Sequence, residues 1–479
     1  SEYSDILDKK LVNSPYTKDL DSDKYFVALR SIKRNIELFR KENIPIFAEM
    51  QKETQEYGKI TGAMTIDYEG KEFTMQQASN YLKDLDRSVR KSVYEKMNER
   101  RYAEKKKLHE LLDRLIEKRQ KVAANAGYDN YRDYKFDAMQ RFDYSIEDCS
   151  VFHNSVRETM VPLTREMQKI RKEKMQLDVL RPYDIAVDPD GKPPLKPFEK
   201  ASELLDTSIE IFSKIKKRYG DYLRQMKEQL YLDLESRKGK APGGFNYPLY
   251  ESNMPFIFMN AAGNIRDVET LMHEGGHAIH SFLSSDLALT DFKQLPSEVA
   301  ELASMSVELI SLEHRHLFFD NADDFLRAKR HQLEGVLRVL PWVAAVDKFQ
   351  HELYLHPEYT HKQREALWLS VLDEFDSGLT DYSGYEHFKA AAWQAQLHIY
   401  EVPFYYIEYG IAQLGAVSVW KNYKENPEKA LNDFENALKL GYSKPIPEIY
   451  KAAGIEFNFS KAYMQELADF IQDELQKTV

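Results

Sequence analysis

Two histidines four residues apart with a glutamate between them, His273-Glu274-Gly275-Gly276-His277, are the residues of this 479-residue chain whose types and spacing most directly imply chemistry. On a helix, positions i and i+4 share one face, so both imidazoles reach a single tetrahedral zinc ion while Glu274 stands beside the metal. There its carboxylate can take a proton from water and return it to a leaving amine. Val268, Leu271, Met272, Ala278, Ile279 and Phe282 flank the motif at helical spacing. Gly275-Gly276 would be costly inside a helix unless another element must approach it closely.

A zinc hydrolase of this kind needs a third protein ligand and an open position for water. The metzincin pattern requires a glycine at position 280 and a histidine at position 283, where this chain has His280 and Leu283, so that class is excluded. A glutamate on a following helix is the remaining common solution. Leu295 to Glu308 supplies it, with Glu298, Glu301 and Glu308 on roughly one face. Spacing alone leaves all three as candidates, and at least one is expected to lie on a solvated acidic face. Small Ala300, Ala303 and Ser304 suggest close helix packing and favour the middle position.

These segments, with Phe258-Met259-Asn260, Arg266-Asp267-Val268-Glu269-Thr270 and Ser297-Glu298-Val299-Ala300-Glu301-Leu302-Ala303-Ser304, resemble the oligoendopeptidase F and thimet oligopeptidase family of zinc metallopeptidases. The resemblance implies one zinc ion on His273, His277 and Glu301, with Glu274 as the proton shuttle and Glu308 orienting a ligand histidine. It extends to His398-Ile399-Tyr400-Glu401-Val402-Pro403-Phe404-Tyr405-Tyr406-Ile407-Glu408-Tyr409-Gly410, similar to the tyrosine-rich segment of that family. By that likeness His398, then Tyr406 and Tyr409, then Tyr405, stabilise the oxyanion formed at the scissile carbonyl, and Tyr400 comes last. A Tyr/Phe stripe at helical spacing is otherwise core, and the chain has 30 tyrosines to place. Pro403 and Ile407 stand where relatives can carry polar or aromatic residues.

The elements that must position these residues are mostly helices. Residues 24–57 and 84–125 carry apolar positions at helical spacing between charges, and residues 62–74 alternate around Glu69-Gly70 as a small hairpin. Ala126-Gly127 ends a helix; residues 143–148 cap another that turns Cys149 and Phe152 inward, making Cys149 a buried structural thiol rather than a nucleophile. The proline-rich stretch from Val179 to Phe198 is a long connection, and a second loop runs from Gly239 to Gly244. Pro255 to Asn260 reads as a buried or half-buried strand that could hold substrate backbone by strand addition. His280, one turn past His277, reads as a packing residue or a support behind a ligand rather than a ligand itself. The expected architecture is mainly α, a two-lobed helical zincin with a deep cleft and a small β element beside the metal helix. Residues 1–240 would form a helical lobe, short at its front relative to the family, and 241–479 the metal-binding lobe.

Composition narrows the class. With 43% hydrophobic and 30% charged residues the chain buries a large core, and 67 Lys+Arg against 78 Asp+Glu, a net of -11, argue against nucleic acid as a partner. One cysteine permits neither an intramolecular disulfide nor a multi-cysteine zinc site and points to a reducing, cytoplasmic location. No apolar run is long enough for a membrane helix, and Ser1-Glu2-Tyr3-Ser4-Asp5 has no leader-like pattern. The expected activity is cleavage of internal bonds in short unfolded peptides. A zinc carboxypeptidase, which would need a cationic group for the substrate's C-terminal carboxylate, and a non-catalytic peptide-binding protein are the alternatives.

Overall fold

The computed structural model describes residues 2–237, 240 and 243–478. Helices dominate it, joined by a two-stranded and a three-stranded sheet. No helix among the described residues is long and apolar enough to cross a membrane.

The chain forms two compact units, each assembled from three segments: residues 1–19, 31–194 and 340–407 make the first, residues 20–30, 195–339 and 408–479 the second. The first boundary of the long middle segments falls inside the proline-rich connection. Other boundaries fall within the helices Phe26–Leu38, Ala322–Leu355 and Tyr406–Glu425, so the chain passes between units along continuous helices. A division into 1–240 and 241–479 therefore does not follow the compact units, because residues 195–237 pack with the metal motif. Their helix Ala201–Ile215 places Phe212 against Gly275, and their strand pairs with the sheet under the motif.

In the first unit, strands β1 (Thr65–Tyr68) and β2 (Lys71–Thr74) form the hairpin expected from the alternation. Glu69 and Gly70 both take positive φ, 51° and 74°, the backbone that a two-residue hairpin loop requires. The charged stretch 84–125 resolves into two helices, Arg87–Ala103 and Lys105–Ala126, parted at Glu104. Ser145 and Asp148 close a capping box at the start of the helix Ile146–Lys174, which carries Cys149 and Phe152 into the core. Buried Arg119 ties the unit together: it donates to Tyr354 Oη at 2.6 Å, to the Ile399 carbonyl at 3.2 Å and to the Tyr400 carbonyl, fixing the short helix Leu397–Glu401 that bears His398.

In the second unit, β3 (Leu232–Glu235), β4 (Phe245–Leu249) and β5 (Met254–Ala261) form a sheet ordered β3-β5-β4, with β3 parallel and β4 antiparallel to β5. The apolar run read from sequence is thus the central strand, with Ile257 and Met259 fully buried. Strand addition at Pro255 to Asn260 is overturned, since both edges of β5 already carry ladder hydrogen bonds. The edges belong to β3 and β4, which the sequence reading left out; the loop expected at Gly239 to Gly244 lies partly outside the described residues.

Candidate active site

The motif occupies the middle of the helix Ile265–Leu283, which opens with a capping box between Asn264 and Asp267. Its apolar face, Val268, Leu271, Met272 and Ile279, is fully buried, so the helix cannot rotate without exposing it. The two glycines are explained by their neighbours. A Cβ on Gly275 would stand 2.4 Å from Phe212 Cζ, and one on Gly276 would stand 2.6 Å from Ser304 Cα. Absence of a side chain at 276 lets the helix Ser297–Ser311 approach backbone to backbone, which delivers Glu301 to the histidines.

His273 Nε2 lies 3.2 Å and His277 Nε2 3.6 Å from the same oxygen of Glu301, Oε2. The three ligating atoms fall within 4.8 Å of one another. Two imidazole nitrogens and one carboxylate oxygen converging on a point are the donor set of a catalytic zinc site, so these residues fit the metal. Glu301 is steadied by Ser304 Oγ, which donates to Oε2 at 2.9 Å. On its far side, His273 Nδ1 meets Glu308 Oε1 at 2.6 Å, which sets the Nδ1–H tautomer and leaves Nε2 as the ligand atom. Gln332 Nε2 in turn donates to Glu308 Oε2 at 2.8 Å.

Electrostatics follow from this arrangement. Burial alone would lower the His273 pKa, but Glu301 and Glu308 on its two nitrogens outweigh that and hold it well above the ordinary value, so the site favours positive charge at that point. Burial pushes His277 down to about 4. Glu274 is 6% exposed, and burial, aided by the nearby carboxylates of Glu301 and Glu308, raises it to about 7.

Of the three candidate glutamates the structure brings Glu301 to the histidines and Glu308 behind one of them. Glu298 is 2% exposed, and its carbonyl accepts from Tyr450 Oη at 3.0 Å. The expected solvated acidic face does not exist: none of the three is exposed, because this helix is packed on several sides. His280 is buried.

The tyrosine-rich residues divide between the units. His398, Tyr405 and Tyr406 cluster in the first, where the His398 ring lies 4.7 Å from that of Tyr406 and stacks on that of Tyr405 at 6.0 Å. Tyr409 belongs to the second unit, one turn along the helix that begins at Tyr406. Tyr400 is core, fully buried and stacked on Tyr57 at 4.4 Å. Two residues not singled out from sequence organise the cluster. Trp342 Nε1 donates to Gln396 Oε1 at 3.0 Å, which turns the Gln396 amide nitrogen toward His398 Nδ1 at 2.6 Å. Nδ1 therefore accepts and Nε2 carries the proton, while burial lowers the His398 pKa to about 4 and keeps the ring neutral. Neither Trp342 nor Gln396 carries a signal in the sequence, since their pairing is made across 54 positions. Phe404 takes a positive φ of 68° after Pro403, with its N–H held by Gln350 Oε1 at 2.9 Å, and so turns the chain into Tyr405 and Tyr406.

A helix presenting H-E-x-x-H to a glutamate of the next helix defines a metallopeptidase of the zincin class. The model of peptidase family M3 matches residues 80–469, and the chain belongs to that family. It is 25% identical over 444 residues to an oligoendopeptidase F homolog of Borreliella burgdorferi, a match covering 87% of this chain and 72% of that protein. It is 22% identical over 399 residues to oligopeptidase PepF of Bacillus subtilis, covering 81% and 57%. Among solved structures, PZ peptidase A with inhibitor 2 superposes with a TM-score of 0.92 at 28% identity, over 99% of this chain and 84% of that one. A putative oligoendopeptidase F gives 0.90 at 27%, over 98% and 83%. The chain thus spans just over half to just under three quarters of the length of these two curated relatives.

Proposed function

We propose that this chain is a zinc-dependent oligoendopeptidase that hydrolyses internal bonds of short, unfolded peptides. The observation that carries the reading is the convergence of His273 Nε2, His277 Nε2 and Glu301 Oε2, with the carboxyl of Glu274 buried in the next position of the motif. Restriction to short substrates rests on the names of the relatives, oligoendopeptidase and oligopeptidase.

His273, His277 and Glu301 would hold the zinc ion, which would supply Lewis-acid chemistry toward the scissile carbonyl and water. Glu274 accepts the water proton on its carboxylate and passes it to the leaving nitrogen. Glu308 holds the His273 ring in register through Nδ1–H. His398, as a neutral Nε2–H donor, and the phenols of Tyr406 and Tyr409, with Tyr405 beside them, are assigned the oxyanion on the strength of the family resemblance. Of the two edge strands, β4, exposed at Phe245 and Tyr247 and joined to the motif helix by Asn246 Nδ2 donating to the Glu274 carbonyl at 3.3 Å, is the one assigned to an extended peptide. A cytoplasmic location is part of the same proposal, supported by the single, buried Cys149.

The test is cleavage of an internally quenched peptide blocked at both ends, by wild type and Glu274→Gln, with bound zinc quantified in each. Internal cleavage by wild type, lost in a variant that keeps its zinc, is the expected result. An intact blocked peptide with a shortened unblocked one would replace the reading by a carboxypeptidase; binding of both peptides without cleavage would replace it by a peptide-binding protein.

A further inference from the structure

Within the first unit, two helices each contribute a pair of metal-capable side chains four residues apart: Cys149 and His153 on Ile146–Lys174, Asp347 and His351 on Ala322–Leu355. The i, i+4 spacing puts each pair on one helix face. All four side chains are withdrawn from solvent, Cys149 at 1%, Asp347 at 0%, His153 and His351 at 6% exposure. Donor atoms of Cys149, Asp347 and His351 fall within 4.8 Å of one another. His153 Nε2 lies 2.8 Å from Asp347 Oδ2. His351 Nε2 stands 3.2 Å from that same oxygen without the alignment of a hydrogen bond, and Asp347 Oδ1 has no hydrogen-bond partner.

A hydrogen-bonded His-Asp-His chain accounts for only part of this. As the side chains stand, Asp347 Oδ1 has no hydrogen-bond partner in a dry interior, and His351 Nε2, though close to the carboxylate, is not aligned to donate to it. A carboxylate with no solvent exposure also needs a compensating cation, and the ion pairs of Asp347 among the described residues are with the two histidines alone. Both imidazoles aim Nε2 at one carboxylate oxygen, as His273 and His277 do in the candidate active site, and here a thiol completes the set.

We propose that Cys149, Asp347 and His351 form a second site for a divalent metal, suited to zinc, with His153 orienting the Asp347 carboxylate. Thiolate and carboxylate together cancel the charge of the ion, and the neutral imidazole of His351 makes the third protein ligand. Binding releases the thiol proton to solvent and clamps the two helices, so the metal enters as the unit folds. Nothing in this site depends on the peptidase reading.

Cobalt substitution tests it directly. Cys149 is the only cysteine, so sulfur-to-cobalt charge-transfer absorption in the near ultraviolet can arise nowhere else in the chain. The expected result is that absorption in cobalt-loaded wild type and in His277→Ala, with His277→Ala retaining one metal equivalent that His277→Ala combined with Cys149→Ser loses. Cobalt-loaded wild type without the charge-transfer band, or His277→Ala without metal, overturns the site. Should the Cys149→Ser chain fail to fold, the spectrum of wild type still decides.

Discussion

Gly276 and Ser304 are packed so tightly that a single added carbon on the glycine would come within 2.6 Å of the serine Cα. That spacing is what lets one helix hold two imidazoles and its neighbour hold the carboxylate that meets them. Gly276→Ala must push backbone against backbone, and the expected cost is about 1–3 kcal/mol of stability. It should also weaken metal binding, because Glu301 moves with Ser304. Urea unfolding and a competitive chelator titration measure the two effects; a variant with wild-type stability and affinity would show that the helices need not be this close.

Glu308 touches the proposed ligand set through His273, by the 2.6 Å contact with Nδ1. Glu308→Ala removes the group that orients the ring, and metal affinity is expected to fall about 10- to 100-fold. Chelator competition reads this directly. Unchanged affinity would make the carboxylate a packing residue.

The neutral ring of His398, with its proton on Nε2, is expected to serve the oxyanion. His398→Ala should lower kcat roughly 100- to 1,000-fold while the zinc content stays constant. Gln396→Leu should give a smaller loss of kcat with KM unchanged, since the ring remains but its tautomer is no longer fixed. Full kcat in His398→Ala would remove this residue from the reaction.

Acid stability in the second unit turns on Glu474, which is buried at the end of the C-terminal helix Lys461–Gln476 with Lys477 at 2.5 Å, Lys329 at 2.9 Å and Lys424 at 3.5 Å. Burial would raise its pKa, but hydrogen bonds to Lys477 and Lys329 outweigh that and lower it from 4.5 to about 2. The folded value lies below the unfolded one, so this stabilisation is complete above the unfolded pKa and disappears as pH falls through the folded one. It amounts to roughly 3 kcal/mol at most. Denaturant midpoints of wild type and Glu474→Gln should differ at neutral pH and converge as pH is lowered through about 4.5 to 2. A difference independent of pH would assign the effect to packing.

The sequence by itself determined what is local. Helical periodicity, the Ser145/Asp148 capping box, the turn at Glu69-Gly70 and the H-E-x-x-H face each arise from residues within a few positions of one another, where backbone geometry permits few alternatives. Long-range packing decided the rest. Three glutamates on one helix were indistinguishable by spacing; the approach of Ser304 to Gly276 selected Glu301 as the partner of both histidines. The apolar run at Pro255 to Asn260 has the composition of a buried strand, yet only pairing with β3 and β4 made it central and left the edges to them. Cys149 and Asp347, 198 positions apart, were brought together by two helices whose facing cannot be read from either one alone. A helix or turn is specified by neighbours along the chain, whereas a site is specified by which surfaces must be buried against each other, and that depends on the whole fold.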